Sequence, residues 1–106
     1  MSRSIGDHDM IGVIAEPIVD ILDIRQLSEG EEQTHILCIS ATDGMTDCIP
    51  PMELAESLAN AFYGKDGNQL KVAHDLVQCA AQVWKTKTGG LYRDDITIVT
   101  CNMVQR

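Results

Sequence analysis

Apolar residues change their spacing several times along this chain, and each change marks a structural element. After Ile11 to Ile14 and a break at Glu16-Pro17, apolar and acidic residues interleave in strand-like fashion from Ile18 to Ile24, which predicts an edge-like strand. An acidic, glycine-containing turn over Ser28 to Gln33 leads into Thr34 to Ala41. Its central run Ile36-Leu37-Cys38-Ile39 is apolar on both faces, as in a strand covered on both sides, and the two strands are expected to pair as a hairpin. Pro50 and Pro51 punctuate a helix start, and Leu54, Leu58 and Phe62, with Ala55 and Ala59, form an apolar stripe at helical spacing that should end near Gly64. Asp66, Gly67 and Asn68 make the next turn. Val72, Ala73, Leu76, Val77, Ala80 and Trp84 then line one side of a longer helix, with Lys85 and Lys87 suited to its C-terminal dipole and Gly89-Gly90 to stop it. The β-branched run from Ile96 to Val104 reads as the last strand. The expected order is strand, strand, helix, helix, strand.

Strands covered on both faces need layers on both sides, so the expected class is α+β with helices packed on a sheet. Three strands make a thin sheet. If nothing covers its second face, apolar surface and unpaired edges are left exposed, which favours self-association. The length of 106 residues and a hydrophobic fraction of 44% suit one domain with one core. No repeat, low-complexity tract or interdomain linker interrupts it.

Eight basic against sixteen acidic residues give a net charge of −8, which disfavours nucleic acid and anionic membrane as partners. No run approaches the roughly 20 apolar residues of a membrane span. The first residues also lack the basic and apolar regions of a signal peptide. The chain therefore reads as soluble and intracellular, cytoplasmic or nuclear. Cys38, Cys48, Cys79 and Cys101 are scattered without a C-x-x-C pair, so reduced, partly buried thiols are expected, with no zinc site or disulfide framework.

The chemistry on offer is carboxylate chemistry at strand ends. Asp43 directly follows the buried run, Gly44 permits a sharp backbone turn there, and Asp47 lies one turn further on. Asp94 and Asp95 stand just before the last strand. If that strand runs antiparallel beside the one ending at Asp43, the carboxylates converge. Convergent carboxylates repel unless a cation lies between them, and an all-oxygen ligand set selects a hard ion such as magnesium or manganese over zinc or copper. Capping and solvated turns are the ordinary roles of such aspartates.

Three segments in this order, SRSIGD (Ser2 to Asp7), ISATDGMTD (Ile39 to Asp47) and RDDITIVT (Arg93 to Thr100), closely resemble the C-terminal half of the metal-dependent serine/threonine protein phosphatases of the 2C type. The AEP before the first long strand, the two helices and the closing DDIT strand extend the resemblance over nearly the whole chain. It implies that residues 1–106 are the C-terminal portion of a layered α-β-β-α sandwich. It also implies that Asp43 and Asp94 ligate a binuclear magnesium or manganese centre, and that Asp47 ligates a further, weaker site. In such enzymes the metals acidify a bridging water that attacks a phosphoserine or phosphothreonine phosphorus in line. Thr46 stands where the family often has a bulky aromatic, and Asp95 where it often has Asn. A TDG turn with a late DDIT also resembles the bacterial stage II sporulation phosphatases, but SRSIGD and AEP favour the 2C type.

The family's N-terminal segments, with their arginine-rich phosphate-binding stretch, Glu-Asp pair and DGHGG turn, have no counterpart in this sequence. The resemblance implies that those segments supply the bridging aspartate, the remaining ligands, the phosphate-binding arginine and the general acid. Residues acting as a unit are strongly non-additive, so this polypeptide alone is expected to have negligible phosphatase activity. A missing N-terminal phosphatase half thus joins the phosphoprotein substrate as an expected partner. A start within the SRSIGD motif also reads as a truncation. The alternative is a truncated, non-catalytic phosphatase-like binding module.

Other chemically able residues read more plainly. His8, His35 and His74 do not cluster, and Cys48 has no adjoining histidine or basic residue to activate it. Arg3 is expected to pair with acidic neighbours, Arg93 to be solvated beside Asp94, and Trp84 to be helix-face core.

Overall fold

The computed structural model describes residues 3–7, 9–26, 33–65 and 67–105. The chain divides into two compact units, Met1–Glu31 and Glu32–Arg106. The acidic turn at 28–32, His8, Asp66 and the first residue of the SRSIGD segment lie outside the described residues.

The second unit is a mixed α/β arrangement in the order β1 (Thr34–Ala41), α1 (Asp43–Thr46), α2 (Pro51–Tyr63), α3 (Gln69–Thr88) and β2 (Ile98–Gln105). Among the described residues the sheet has two strands, β1 and β2. They run antiparallel from Thr34 opposite Gln105 to Ala41 opposite Ile98. The chain ends of the unit thus meet as neighbours, and the three helices form the connection between them.

Both long helices start and stop where their sequence says. Pro51 stands at the first turn of α2, where its missing N–H costs no hydrogen bond. The Asn68 side chain accepts the Lys71 N–H at the start of α3 at 2.9 Å, and Gly89 closes that helix in a left-handed conformation (φ 63°). Leu54, Leu58 and Ala61 of α2 are buried with Ala80 of α3, beside Met45 and Ile49 from α1 and the residues after it. Leu37, Ile39 and Ala41 of β1, Ile98 of β2, and Val72, Leu76 and Val77 of α3 pack against this cluster. One sheet face therefore meets the helices. Tyr63 extends this contact, donating from its hydroxyl to Asn102 Oδ1 at 2.8 Å while its ring lies 5.2 Å from that of His35.

Three expectations are corrected. The strand beside β1 is β2, and residues 18–23 carry no strand, so the hairpin does not form among the described residues. A strand-like mixture of apolar and acidic residues secures a strand only when a neighbouring backbone takes up its N–H and C=O groups. Among the described residues of the first unit the regular pairing is a parallel bridge between Arg3 and Ile14, and Arg3 Nε donates to the Glu16 carbonyl at 2.9 Å, a backbone acceptor where an acidic side chain was expected. The Ile36-Leu37-Cys38-Ile39 run is also covered differently from expectation. Leu37 and Ile39 meet the core, whereas Cys38 is exposed on the other face.

Candidate functional site

The β1/β2 ladder runs directly into two acidic turns. Thr42, the residue after β1, donates its N–H to Thr97 O at 3.1 Å, so the antiparallel register continues one step past the strands. Its hydroxyl then accepts the Thr97 N–H at 3.0 Å and donates to the Asp95 carbonyl at 2.7 Å. A single threonine thereby stitches the turn holding Asp94 and Asp95 to the start of α1, where Asp43 stands. The ordering is local and charge-independent.

Gly44 makes the approach possible. It lies in α1 with ordinary helical φ, so the expected sharp turn is not what requires glycine here. Space requires it: a Cβ at Gly44 would fall 2.4 Å from the Asp95 carbonyl oxygen and 3.2 Å from Asp94 Cβ. The two turns are therefore in backbone contact, and any side chain would push them apart. Asp43 and Asp94 each present one oxygen to the following N–H, Asp43 Oδ1 to Gly44 at 3.0 Å and Asp94 Oδ1 to Asp95 at 2.8 Å. These bonds orient both side chains.

Asp47 is placed differently. It caps the C-terminus of α1, its N–H bonded to Asp43 O at 2.8 Å, and its carbonyl accepts Lys87 Nζ at 2.7 Å. Among the described residues, no three His, Cys, Asp or Glu side chains gather as a metal site. The structure brings the Asp43 and Asp94 turns together, with Asp95 beside them, and does not add Asp47 to them.

The sequence reading missed the aromatic support of this junction. Trp84, one turn before the end of α3, reaches across to donate its indole N–H to the Gly44 carbonyl at 2.7 Å. Its ring meets Tyr92 edge-on with centroids 5.6 Å apart. The Thr88 hydroxyl lies within hydrogen-bond reach of the Trp84 and Tyr92 carbonyls, at 2.8 and 2.7 Å. Trp84 is thus half-buried packing with a directed polar contact. Its spacing on the apolar stripe of α3 was the available signal, but the acceptor lies 40 residues away in sequence.

The Tyr92 phenol reports the field of the site. It is held above its ordinary value, first by the Asp94 charge, then by burial, hydrogen bonding to Asp94 and the charges of Asp43 and Asp95. Three carboxylates therefore act on one point in space. Beyond Tyr92 opens a shallow cavity of about 530 Å³, lined also by Gln78, Gln82, Lys85 and Arg93. Arg93 is exposed there. A second hollow of about 250 Å³ lies beside Thr46, between Ile39, Ala41, Pro51 and Leu54, where a larger side chain would fit.

The donors fit a hard divalent cation. They are carboxylate and carbonyl oxygens without sulfur or imidazole, and magnesium is commonly held by one or two carboxylates with waters and phosphate oxygens completing its octahedron. No protein-family model, curated protein or solved structure matches this chain.

Proposed function

We propose that this chain supplies one half of a metal-dependent phosphatase site acting on phosphoserine and phosphothreonine proteins. Asp43 and Asp94 would hold magnesium or manganese, and Asp47 would contribute to a weaker outlying site. The apposition of the Asp43 and Asp94 turns across the end of the β1/β2 ladder supports this reading, because it brings together the two turns whose aspartates the resemblance implies as ligands. The finer α-β-β-α layering belongs to the same proposal.

The bound metals would supply an acidified water and neutralise charge on the phosphoryl oxygens. The residues of this chain orient the carboxylates. Thr42 and Trp84 hold the two turns in register, and the absence of a side chain at Gly44 lets them touch. The other ligands would come from polypeptide bearing a DGHGG-type turn, which this sequence does not contain.

A second reading has its own observation. Ile5, Ile11 and Ile21 in the first unit are at least 93% exposed, which favours a binding module whose apolar segment is covered by another protein. The deciding experiment is manganese-dependent hydrolysis of a phosphothreonine peptide by this chain, alone and mixed with a separately made N-terminal phosphatase half. The phosphatase reading expects activity only in the mixture, and its loss with Asp43→Asn or Asp94→Asn in this chain. A mixture as inactive as the chain alone supports the binding module.

A further inference from the structure

The sheet places two thiols opposite each other on its outer face. The register pairs Cys38 of β1 with Cys101 of β2, and both are exposed thiols. Leu37, Ile39 and Ile98 point into the core, so strand alternation sends Cys38 and Cys101 to the face away from the helices. The hydrogen bond from Thr42 N to Thr97 O fixes the phase of the ladder. Counting back in twos along that register makes Cys38 and Cys101 a hydrogen-bonded pair.

The Cα atoms of such a pair stand about 5.5 Å apart. A disulfide joins Cα atoms roughly 4.4–6.8 Å apart, so the backbone spacing suits one. The Cβ atoms are the tighter requirement, at about 4.5–5.5 Å across the ladder against about 3.5–4.5 Å in a bridge. Closure therefore pinches the two strands together locally, and a bond formed under such strain is readily reduced. Cys48 follows α1 and Cys79 lies on α3, and neither has a thiol across the sheet.

We propose that Cys38 and Cys101 form a reversible cross-strand disulfide on exposure to hydrogen peroxide. One thiolate attacks a peroxide oxygen and the O–O bond breaks, giving a sulfenic acid and, with one proton, water. The second thiol then attacks the sulfenic sulfur. The S–S bond forms, the S–O bond breaks, and the oxygen leaves as water with the thiol's proton. Two thiols are oxidised by two electrons in all and the peroxide is reduced to two waters; a dithiol reverses the change. The bridge ties β1 to β2 at mid-strand, and these are the strands that lead into the Asp43 and Asp94 turns. Its formation does not depend on any metal at those turns.

The test treats the full chain, dilute, with hydrogen peroxide, blocks remaining thiols by alkylation, and maps the peptides by mass spectrometry. The expected product has lost the mass of two hydrogens, contains a Cys38–Cys101 linked peptide, leaves Cys48 and Cys79 alkylated, and reverts with dithiothreitol. Amide exchange in β1 and β2 should slow several-fold in the oxidised form. Cys38→Ser should give no intramolecular bridge and leave Cys101 as a sulfenic acid trapped by dimedone. Bridges distributed among all four cysteines, bridges only between molecules, or independent oxidation of Cys38 and Cys101 to sulfinic acids would each overturn the proposal.

Discussion

Residues 51–63 and residues 18–23 are both rich in apolar side chains, and they hold them in opposite ways. In α2, Leu54, Leu58 and Ala61 are buried, Leu58 completely. In the stretch 18–23, Ile18, Val19, Ile21 and Leu22 are all at least 68% exposed. The difference lies in where each backbone finds its hydrogen bonds. A helix satisfies its own groups and has only to present a stripe to something apolar. A strand must borrow a neighbour for every second residue, so the same apolar content without a paired backbone stays in solvent. Local pattern is sufficient for the first and insufficient for the second.

Substitutions at the centres of the two regions should break this contrast first. Leu58→Ala is expected to cost about 2–5 kcal/mol of unfolding free energy, because it empties a fully enclosed site. Ile21→Ser, on an exposed side chain, should change it by less than about 0.5 kcal/mol. Urea unfolding of both variants checks the pair, and an Ile21→Ser loss as large as that of Leu58→Ala would mean that 18–23 has a buried partner after all.

The junction between the acidic turns should come next. Gly44→Ala forces a Cβ against the Asp95 carbonyl and is expected to cost about 1–3 kcal/mol by the same measurement. An unchanged midpoint would show that the two turns are not in contact. Trp84→Phe keeps the ring against Tyr92 and removes the donor to Gly44 O, for an expected loss of about 1 kcal/mol.

The smallest effect is a pH dependence. The folded Tyr92 phenol holds its proton more tightly than the unfolded one, whose ordinary value is 10.0. Stability is therefore intact below pH 10 and falls as pH rises from there through the raised value, where a phenolate would face Asp94, Asp43 and Asp95. Tyr92→Phe should flatten that part of the pH-stability curve, and an identical slope in the variant would place the Asp94 charge away from the ring.

Much of the second unit was legible in sequence because its signals are local. Pro51, Asn68 and Gly89 mark helix ends by chemistry confined to one turn, and the apolar spacing of α2 and α3 named Leu54, Leu58 and Ala80 of the core but not Met45, Ile49 or Ala61. The antiparallel meeting of β1 with the strand after Asp95 was foreseen only as a condition, since no local pattern states which strands pair. What stayed hidden were contacts between residues far apart in the chain: Trp84 with Gly44, the Thr42 hydroxyl with Asp95, and Tyr63 with Asn102. Gly44 was noticed for conformational freedom, whereas its role is to let two backbones approach. The three carboxylates near Tyr92 were named in sequence, and Asp47 stands one turn after Asp43, at the far end of α1, as its spacing in the sequence indicates.

The central claim is that the Asp43 and Asp94 turns form one cation-binding locus. Titrating manganese into the isotope-labelled chain and following paramagnetic broadening of amide resonances tests it directly. The account expects Thr42, Gly44, Asp95 and Thr97 to broaden first and together, and Asp43→Asn or Asp94→Asn to abolish that preference. Broadening that spreads evenly over other acidic residues such as Asp20, Glu53 and Asp75, unchanged in both variants, would contradict it.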